Sequence, residues 1–306
     1  MRYATATTWA LRGVDLEVPA GRVLGLLGHN GAGKTTMLRI LTTLARPTEG
    51  RAWVSGLDVV EDAPRVREHI GLAGQYATVD GLLTARANLV MVGRLYHLSR
   101  SDARKRADEL LERVQLTDVA DKRVDSFSGG MRRRLDLAAA LVARPRVLFL
   151  DEPTTGLDPH ARNELWTLLR EHVADGTTLL LTTQYLDEAD RLSDDIVVLD
   201  HGAVVARGTP TALKAQVGGQ RFVVTVARAD QLLAARAALA SFADAEVTEE
   251  DGRLVIPANP TVRLVQIVRA LDAANVEATD VQRREATLDD VFLALTTKAR
   301  RTEVAA

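Results

Sequence analysis

The sequence contains no cysteine, which excludes disulfides and thiolate metal centres and suits a reducing compartment. Positive charge is not in excess. The formal net charge is −2 over 306 residues, so the basic patch that announces a nucleic-acid interface is not expected. Long apolar runs are missing too: nowhere do about eighteen apolar residues stand together, as a spanning helix would need. The opening Met1-Arg2-Tyr3-Ala4 has no apolar core of signal-peptide length, so the expectation is a chain that does not cross a membrane by itself. No internal repeat or low-complexity tract is present. The hydrophobic content of 46% is that of an ordinary globular protein, and the length allows two domains.

Over roughly the first two hundred residues, strand and helix patterns alternate. Val23-Leu24-Gly25-Leu26-Leu27, Val147-Leu148-Phe149-Leu150 and Leu179-Leu180-Leu181 are continuous apolar runs rather than alternating ones. Such runs predict strands buried on both faces of a parallel sheet. A helical pattern covers residues 34–44, and residues 196–199 and 203–205 read as a closing hairpin turning at His201-Gly202. Residues 76–144 are mainly helical, with amphipathic stretches at 103–114 and 131–142, as if helices were inserted into an α/β core. From about residue 220 the order becomes strand 221–226, helix 231–242, a hairpin over 246–256 turning at Asp251-Gly252, helix 261–275 and strand 277–283. That βαββαβ order is the ferredoxin-like split motif, followed by an amphipathic helix at 288–295. Val217-Gly218-Gly219 reads as the linker.

Gly28-His29-Asn30-Gly31-Ala32-Gly33-Lys34-Thr35 matches G-x-x-x-x-G-K-[ST] between a predicted strand and a predicted helix. The glycines let backbone N–H groups turn toward phosphate oxygens at the positive end of the helix. Lys34 is then expected on the β- and γ-phosphates and the Thr35 hydroxyl on Mg²⁺; Thr36 completes the predicted nucleotide contacts. Four apolar residues lead into Asp151-Glu152. Two acids at the end of a buried strand are costly without cations. Asp151 is expected to hold the metal through its water shell, and Glu152 to orient or deprotonate the attacking water.

Further along, Phe127-Ser128-Gly129-Gly130-Met131 opens a helix with a serine and two glycines, and Asp151-Glu152-Pro153-Thr154-Thr155-Gly156-Leu157-Asp158-Pro159 runs into a turn. Together these segments resemble the ABC ATP-binding cassette family over essentially the first 215 residues. The resemblance implies a P-loop α/β core over 1–215 with a helical subdomain at about 76–145, and an accessory α+β domain over 220–306. It implies that Ser128, Gly129 and Gly130 face the γ-phosphate bound by a second copy, that Asp158 couples the two sites, and that Gln75 reaches the metal or its water. Within the family, Leu72-Ala73-Gly74-Gln75-Tyr76-Ala77, Ser128-Gly129-Gly130-Met131-Arg132-Arg133-Arg134-Leu135-Asp136, Leu181-Thr182-Thr183-Gln184-Tyr185 and Leu288-Asp289-Asp290-Val291-Phe292 resemble the daunorubicin-resistance exporter ATPases. That implies ATP and Mg²⁺ as cofactors and a dimer closed by ATP. It also implies a separate membrane permease contacted by residues 76–95, drug or lipid efflux, and a peripheral location on the cytoplasmic face. Non-transport relatives fit less well, because this chain has a single cassette and no long heptad segment.

Three positions depart from the family pattern. Gln184 stands where a switch histidine is usual; glutamine can donate to a γ-phosphate but cannot titrate, so a positioning role is expected beside Glu152. His29 replaces a proline, and with the other histidines at no ligand spacing it is expected to be an ordinary loop residue. The chain begins almost on top of the expected adenine-stacking aromatic, for which Tyr3 is the candidate, with Trp9 nearby. The Arg132–Arg134 run is expected to lie on a solvated face.

Overall fold

The computed structural model describes residues 1, 9–74, 78–216, 220–244, 246–250, 252–259, 261–285 and 287–292. Two compact units form, Met1–Arg207 and Gly208–Ala306. In the first, the elements follow in the order β1 (Val23–Leu27), α1 (Lys34–Leu41), β2 (Trp53–Val54), β3 (Leu57–Asp58), α2 (Ala63–His69) and β4 (Ile70–Ala73). Then come α3 (Ala85–Leu95), α4 (Arg100–Arg113), α5 (Gly129–Ala140), β5 (Val147–Asp151), α6 (Pro159–Ala174), β6 (Thr178–Thr183), α7 (Leu186–Leu192), β7 (Asp195–Asp200) and β8 (Ala203–Gly208).

The main sheet has the order β4-β5-β6-β1-β7-β8, and its first four pairings are parallel. The continuous apolar runs are explained by burial on both faces. Leu148, Leu150, Leu179 and Leu181 enter a core shared with Leu89, Leu110 and Leu135 of the inserted helices. Their neighbours Phe149 and Leu180 point the other way, onto Met37 and Leu38 of α1 and Val197 of β7, as the two-residue strand period requires. The expected hairpin is present: His201 and Gly202, both at positive φ (45° and 79°), make the two-residue connection from β7 to β8, the backbone demanded by a tight turn between twisted strands. Helix α1 stops three residues short of the pattern. Thr43 takes φ 65° and the Thr42 hydroxyl donates back to the Leu38 carbonyl at 2.8 Å, a local bond that competes with helix continuation.

The second unit contains α8 (Pro210–Gln216), β9 (Gln220–Val226), α9 (Leu232–Leu239), β10 (Thr248–Glu250), β11 (Arg253–Ala258), α10 (Leu264–Ala273) and β12 (Ala278–Glu285). Its sheet order is β10-β11-β9-β12, with each of these neighbouring pairs antiparallel. This is the split βαββαβ arrangement. Phe222, Val224, Leu254 and Ile256 of the sheet close on Leu239, Ile267 and Leu271 of the two helices. Each such buried side chain contributes roughly 1.5–3 kcal/mol. Residues 288–292 are helical; the remainder of the expected last helix, and the linker at 217–219, lie outside the described residues.

Candidate nucleotide site

The loop after β1 has its shape imposed by close approach. At Gly28 a Cβ would meet the Leu199 carbonyl oxygen at 2.5 Å and the Ala32 Cβ at 2.9 Å. Gly33, at φ 111°, would strike the Ala10 carbonyl oxygen at 2.6 Å. Only glycine meets both the steric and the backbone demand. No side chain caps α1, so the leading N–H groups of its first turn remain as donors for an anion.

Lys34 is 5% exposed. Its Nζ donates to the carbonyls of Gly28 at 2.7 Å and His29 at 3.2 Å and lies 3.6 Å from Glu152 Oε1. Burial depresses its pKa, an effect opposed by the neighbouring Glu152 and Asp151 carboxylates. Asp151, at the end of β5, accepts from Thr35 Oγ1 at 3.1 Å and from Thr182 Oγ1 at 2.5 Å. Thr182 sits opposite Asp151 in the β5–β6 register; it is a partner that sequence reasoning missed, although a threonine closing an apolar strand was a visible signal. Glu152 is buried, with its N–H on the Thr182 carbonyl at 3.0 Å and φ at 48°. A left-handed non-glycine residue stores about 1–3 kcal/mol and clusters at functional sites.

These groups surround a cleft of about 240 Å³ lined by Ala10, His29, Asn30, Gly31, Gly33, Lys34, Thr35, Thr36 and Glu152. A larger groove of about 1070 Å³, lined by Arg106, Glu109 and Arg144 among others, contains none of these residues. Gln184 is exposed directly after β6. Ser128 and Gly129 are exposed, with Ser128 Oγ capping α5 through the Met131 N–H at 3.3 Å. Asp158 caps α6 through the Ala161 N–H at 2.9 Å. Ser128, Gly129, Gly130 and Asp158 therefore lie outside the cleft lining of their own chain. Tyr3 and Gln75 lie outside the described residues; Trp9 is described and 38% exposed.

The Arg132–Arg134 run is only partly a solvated face: Arg132 is exposed, whereas Arg133 and Arg134 are half-buried. Successive helical residues point about 100° apart, and each arginine finds a different partner. Arg132 reaches the Val124 and Asp125 carbonyls at 3.2 and 2.9 Å. Arg134 pairs with Glu164 of α6 at 3.6 Å. Arg133 donates to the carbonyls of Gly74 (2.5 Å), Pro153 (2.7 Å) and Asp151 (3.2 Å), joining α5 to the strand that carries the acids. Beside it, Glu188 of α7 is fully buried and accepts from Trp166 Nε1 at 3.2 Å. Burial raises its pKa, partly offset by hydroxyl and indole hydrogen bonds and by the Arg133 charge. Neither role could be assigned from sequence, because both depend on which carbonyls and rings the fold brings near.

The family described as "ABC transporter" matches residues 11–155, and the C-terminal domain of "ATP-binding protein DrrA1-3-like" matches residues 208–296. The chain is 54% identical to the daunorubicin resistance ATP-binding protein DrrA3 of Streptomyces coeruleorubidus, covering 97% of this chain and 94% of that one. It is 46% identical to the doxorubicin resistance ATP-binding protein DrrA of Mycobacterium tuberculosis, covering 96% and 91%. Among solved structures, the dimeric post-hydrolysis state of the ATP-binding cassette MJ0796 bound to ADP and Pi superposes with TM-score 0.63 at 27% identity, covering 68% of this chain and 94% of that one. With its phosphate loop, its paired acids and near-full-length likeness to these subunits, the chain belongs to the ABC transporter ATP-binding family, among the daunorubicin- and doxorubicin-resistance type.

Proposed function

We propose that this subunit binds and hydrolyses ATP in the Lys34 cleft and uses ATP-dependent closure of two copies to drive export of a drug-like or lipid cargo through a separate permease. The observation that carries this reading is the convergence of Lys34, Thr35 and Glu152 in one cleft, with Lys34 in ion-pair reach of Glu152 and Asp151 bonded to Thr35 from behind. Gly28, Asn30, Gly31, Gly33, Lys34, Thr35 and Thr36 hold the triphosphate, with Tyr3 the candidate for adenine. Ser128, Gly129, Gly130 and Asp158 serve the nucleotide of the opposite copy. Hard oxygen donors suit Mg²⁺, and the Thr35 hydroxyl and Asp151 carboxylate, 3.1 Å apart, would hold it, with Gln75 as a further contact. Bound there, the ion neutralises charge on the β- and γ-phosphates. Glu152, held by its strained backbone beside Lys34, orients and deprotonates the attacking water, and its buried position keeps that proton from bulk water.

Gln184 follows the strand that carries Thr182 and offers an amide donor to the γ-phosphate. Gln184→Ala is expected to lower kcat about tenfold or more, toward the range for loss of one transition-state donor, measured by phosphate release. Glutamine does not titrate, so Gln184→His is the variant expected to introduce an inflection near neutral pH. Unchanged turnover in Gln184→Ala would remove this residue from the site.

Among the described residues no helix is long and apolar enough to cross a membrane, and we place the subunit on the cytoplasmic face, held there by its permease. Met91 and Leu95 share one face of α3, four residues apart, and are 39% and 72% exposed; that face is the proposed permease contact. Expression of the chain with its permease in a drug-sensitive host should lower intracellular anthracycline. Glu substitution of both Met91 and Leu95 should abolish export and permease co-purification while leaving soluble ATPase activity within about twofold, as expected for an exposed site. Export retained by that double variant would rule out this contact. We propose cassette bounds of 1–215, with the helical subdomain at about 76–145, and an accessory domain at 220–306.

A further inference from the structure

We propose that the phosphate loop carries a second metal site, distinct from the Mg²⁺ position, in which His29, Asp200 and His201 bind a transition-metal ion of the Zn²⁺ class. Linear spacing hides this cluster, since His29 and Asp200 are 171 residues apart. The fold brings them together rigidly. The β7–β8 turn bonds to the loop through the Gly202 N–H on the Ala32 carbonyl at 3.0 Å, and the Gly202 carbonyl accepts from the Arg12 N–H at 2.8 Å. Leu199 packs its carbonyl against Gly28.

The three ligand atoms lie within 4.8 Å of one another. His29 Nε2 is 2.9 Å, and His201 Nε2 3.7 Å, from the same Asp200 oxygen, bracketing the edge of about 3.3 Å expected between ligands around a tetrahedral Zn²⁺. The other ring nitrogen of His29 lies 2.6 Å from the Asn30 carbonyl. A carbonyl only accepts, so Nδ1 donates there, which leaves Nε2 directed at the Asp200 carboxylate. A ligating histidine is oriented in this way, by donating its second N–H to a backbone carbonyl. The 2.9 Å separation accommodates either an N–H donated by His29 Nε2 or a cation held between the two atoms. A proton would tie Asp200 to His29 alone, whereas a metal ion also engages His201. Two imidazoles and one carboxylate select Zn²⁺ or Co²⁺ over Mg²⁺. Three protein ligands leave a fourth position open, and the half-exposed His29 and exposed His201 give the ion access. Such a clip would pin the phosphate loop to the β7–β8 turn.

The test is Co²⁺ titration of the full-length, chelator-stripped protein, without nucleotide and in excess Mg²⁺, followed by Zn²⁺ competition. One Co²⁺ per chain with the intense visible bands of four-coordinate cobalt is expected, displaced by Zn²⁺ and not by Mg²⁺. Both His201→Asn and His29→Asn should weaken binding at least tenfold. Asparagine tolerates the positive φ of the turn, so His201→Asn should fold normally, keep wild-type ATP turnover in metal-free buffer and lose the thermal shift that Zn²⁺ confers on the wild type. Absent or octahedral cobalt spectra, or equal Co²⁺ affinity in wild type and both variants, would overturn the site.

Discussion

Glu152→Gln is expected to slow ATP hydrolysis about 10²–10⁴-fold, the range for loss of a positioned general base, while leaving ATP binding intact. The substitution is nearly isosteric, so the left-handed turn at Glu152 and its N–H bond to Thr182 survive. What disappears is the carboxylate that takes the proton from water. The Lys34 ammonium, 3.6 Å away, loses one countercharge but keeps Asp151 nearby and its bonds to the Gly28 and His29 carbonyls; it remains available to phosphate. ATP then enters and closes two copies, and the closed state persists because the step that reopens it has been slowed. Size-exclusion chromatography with ATP and Mg²⁺ should show a dimer for Glu152→Gln under conditions where the wild type returns to monomer. Single-turnover kinetics should place the loss in chemistry rather than in binding. Turnover within about threefold of wild type would mean that another group serves as the base, since losing a true one costs far more.

The ease with which this cleft was found in the sequence has a physical origin. β1, its glycine loop and α1 are contiguous, so the loop's chemistry is local and its spacing survives as a linear pattern. The acid pair was legible for a related reason: a strand buried on both faces tolerates no charge until it ends, so the first acids after Leu150 mark the strand terminus and the site together. The accessory βαββαβ order was equally open to reading, because each element alternates or repeats with its own period. β4 was not. Its four residues Ile70-Gly71-Leu72-Ala73 carry little pattern, and their strand state is set by parallel pairing with β5 and by a backbone approach of Ala140 to Gly71 that admits no side chain. Arg133 failed for a different reason. Its charge suggested solvent, yet three carbonyls, at Gly74, Asp151 and Pro153, replace water around the guanidinium, and no linear rule announces that. The same applies to His29 and His201, whose meeting depends on where β7 lies beside β1.

Lys34→Ala and Ser128→Arg should each be inactive alone, and mixing them should restore activity. Lys34→Ala removes the cation that grips the triphosphate, so neither ATP binding nor ATP-dependent dimerisation is expected. Ser128→Arg fills the entrance to α5 and loses a helix cap worth about 1 kcal/mol, but leaves the phosphate loop untouched. The basis for complementation lies at Gly129. A Cβ there would meet no atom within 4 Å, and its backbone is not left-handed, so the isolated chain has no steric need for glycine at a position where glycine costs roughly 0.5–1 kcal/mol relative to alanine. The need must come from outside the chain, from something that approaches the first turn of α5 closely. A nucleotide held by the Lys34 cleft of a second copy fits that requirement, because the leading N–H groups of a helix terminus bind anions, and Ser128 Oγ occupies only that of Met131. In a heterodimer of the two variants, one composite site loses both halves. The other combines an intact Lys34 with an intact Ser128-Gly129-Gly130 turn. Random pairing of equal amounts would return about a quarter of wild-type turnover, rising toward about half if Lys34→Ala chains do not pair with themselves, since the two-fold axis of a homodimer makes its two sites equivalent. Activity in the mixture no greater than the sum of the separate variants would place Ser128 outside the catalytic assembly, as would full activity of Ser128→Arg as a monomer.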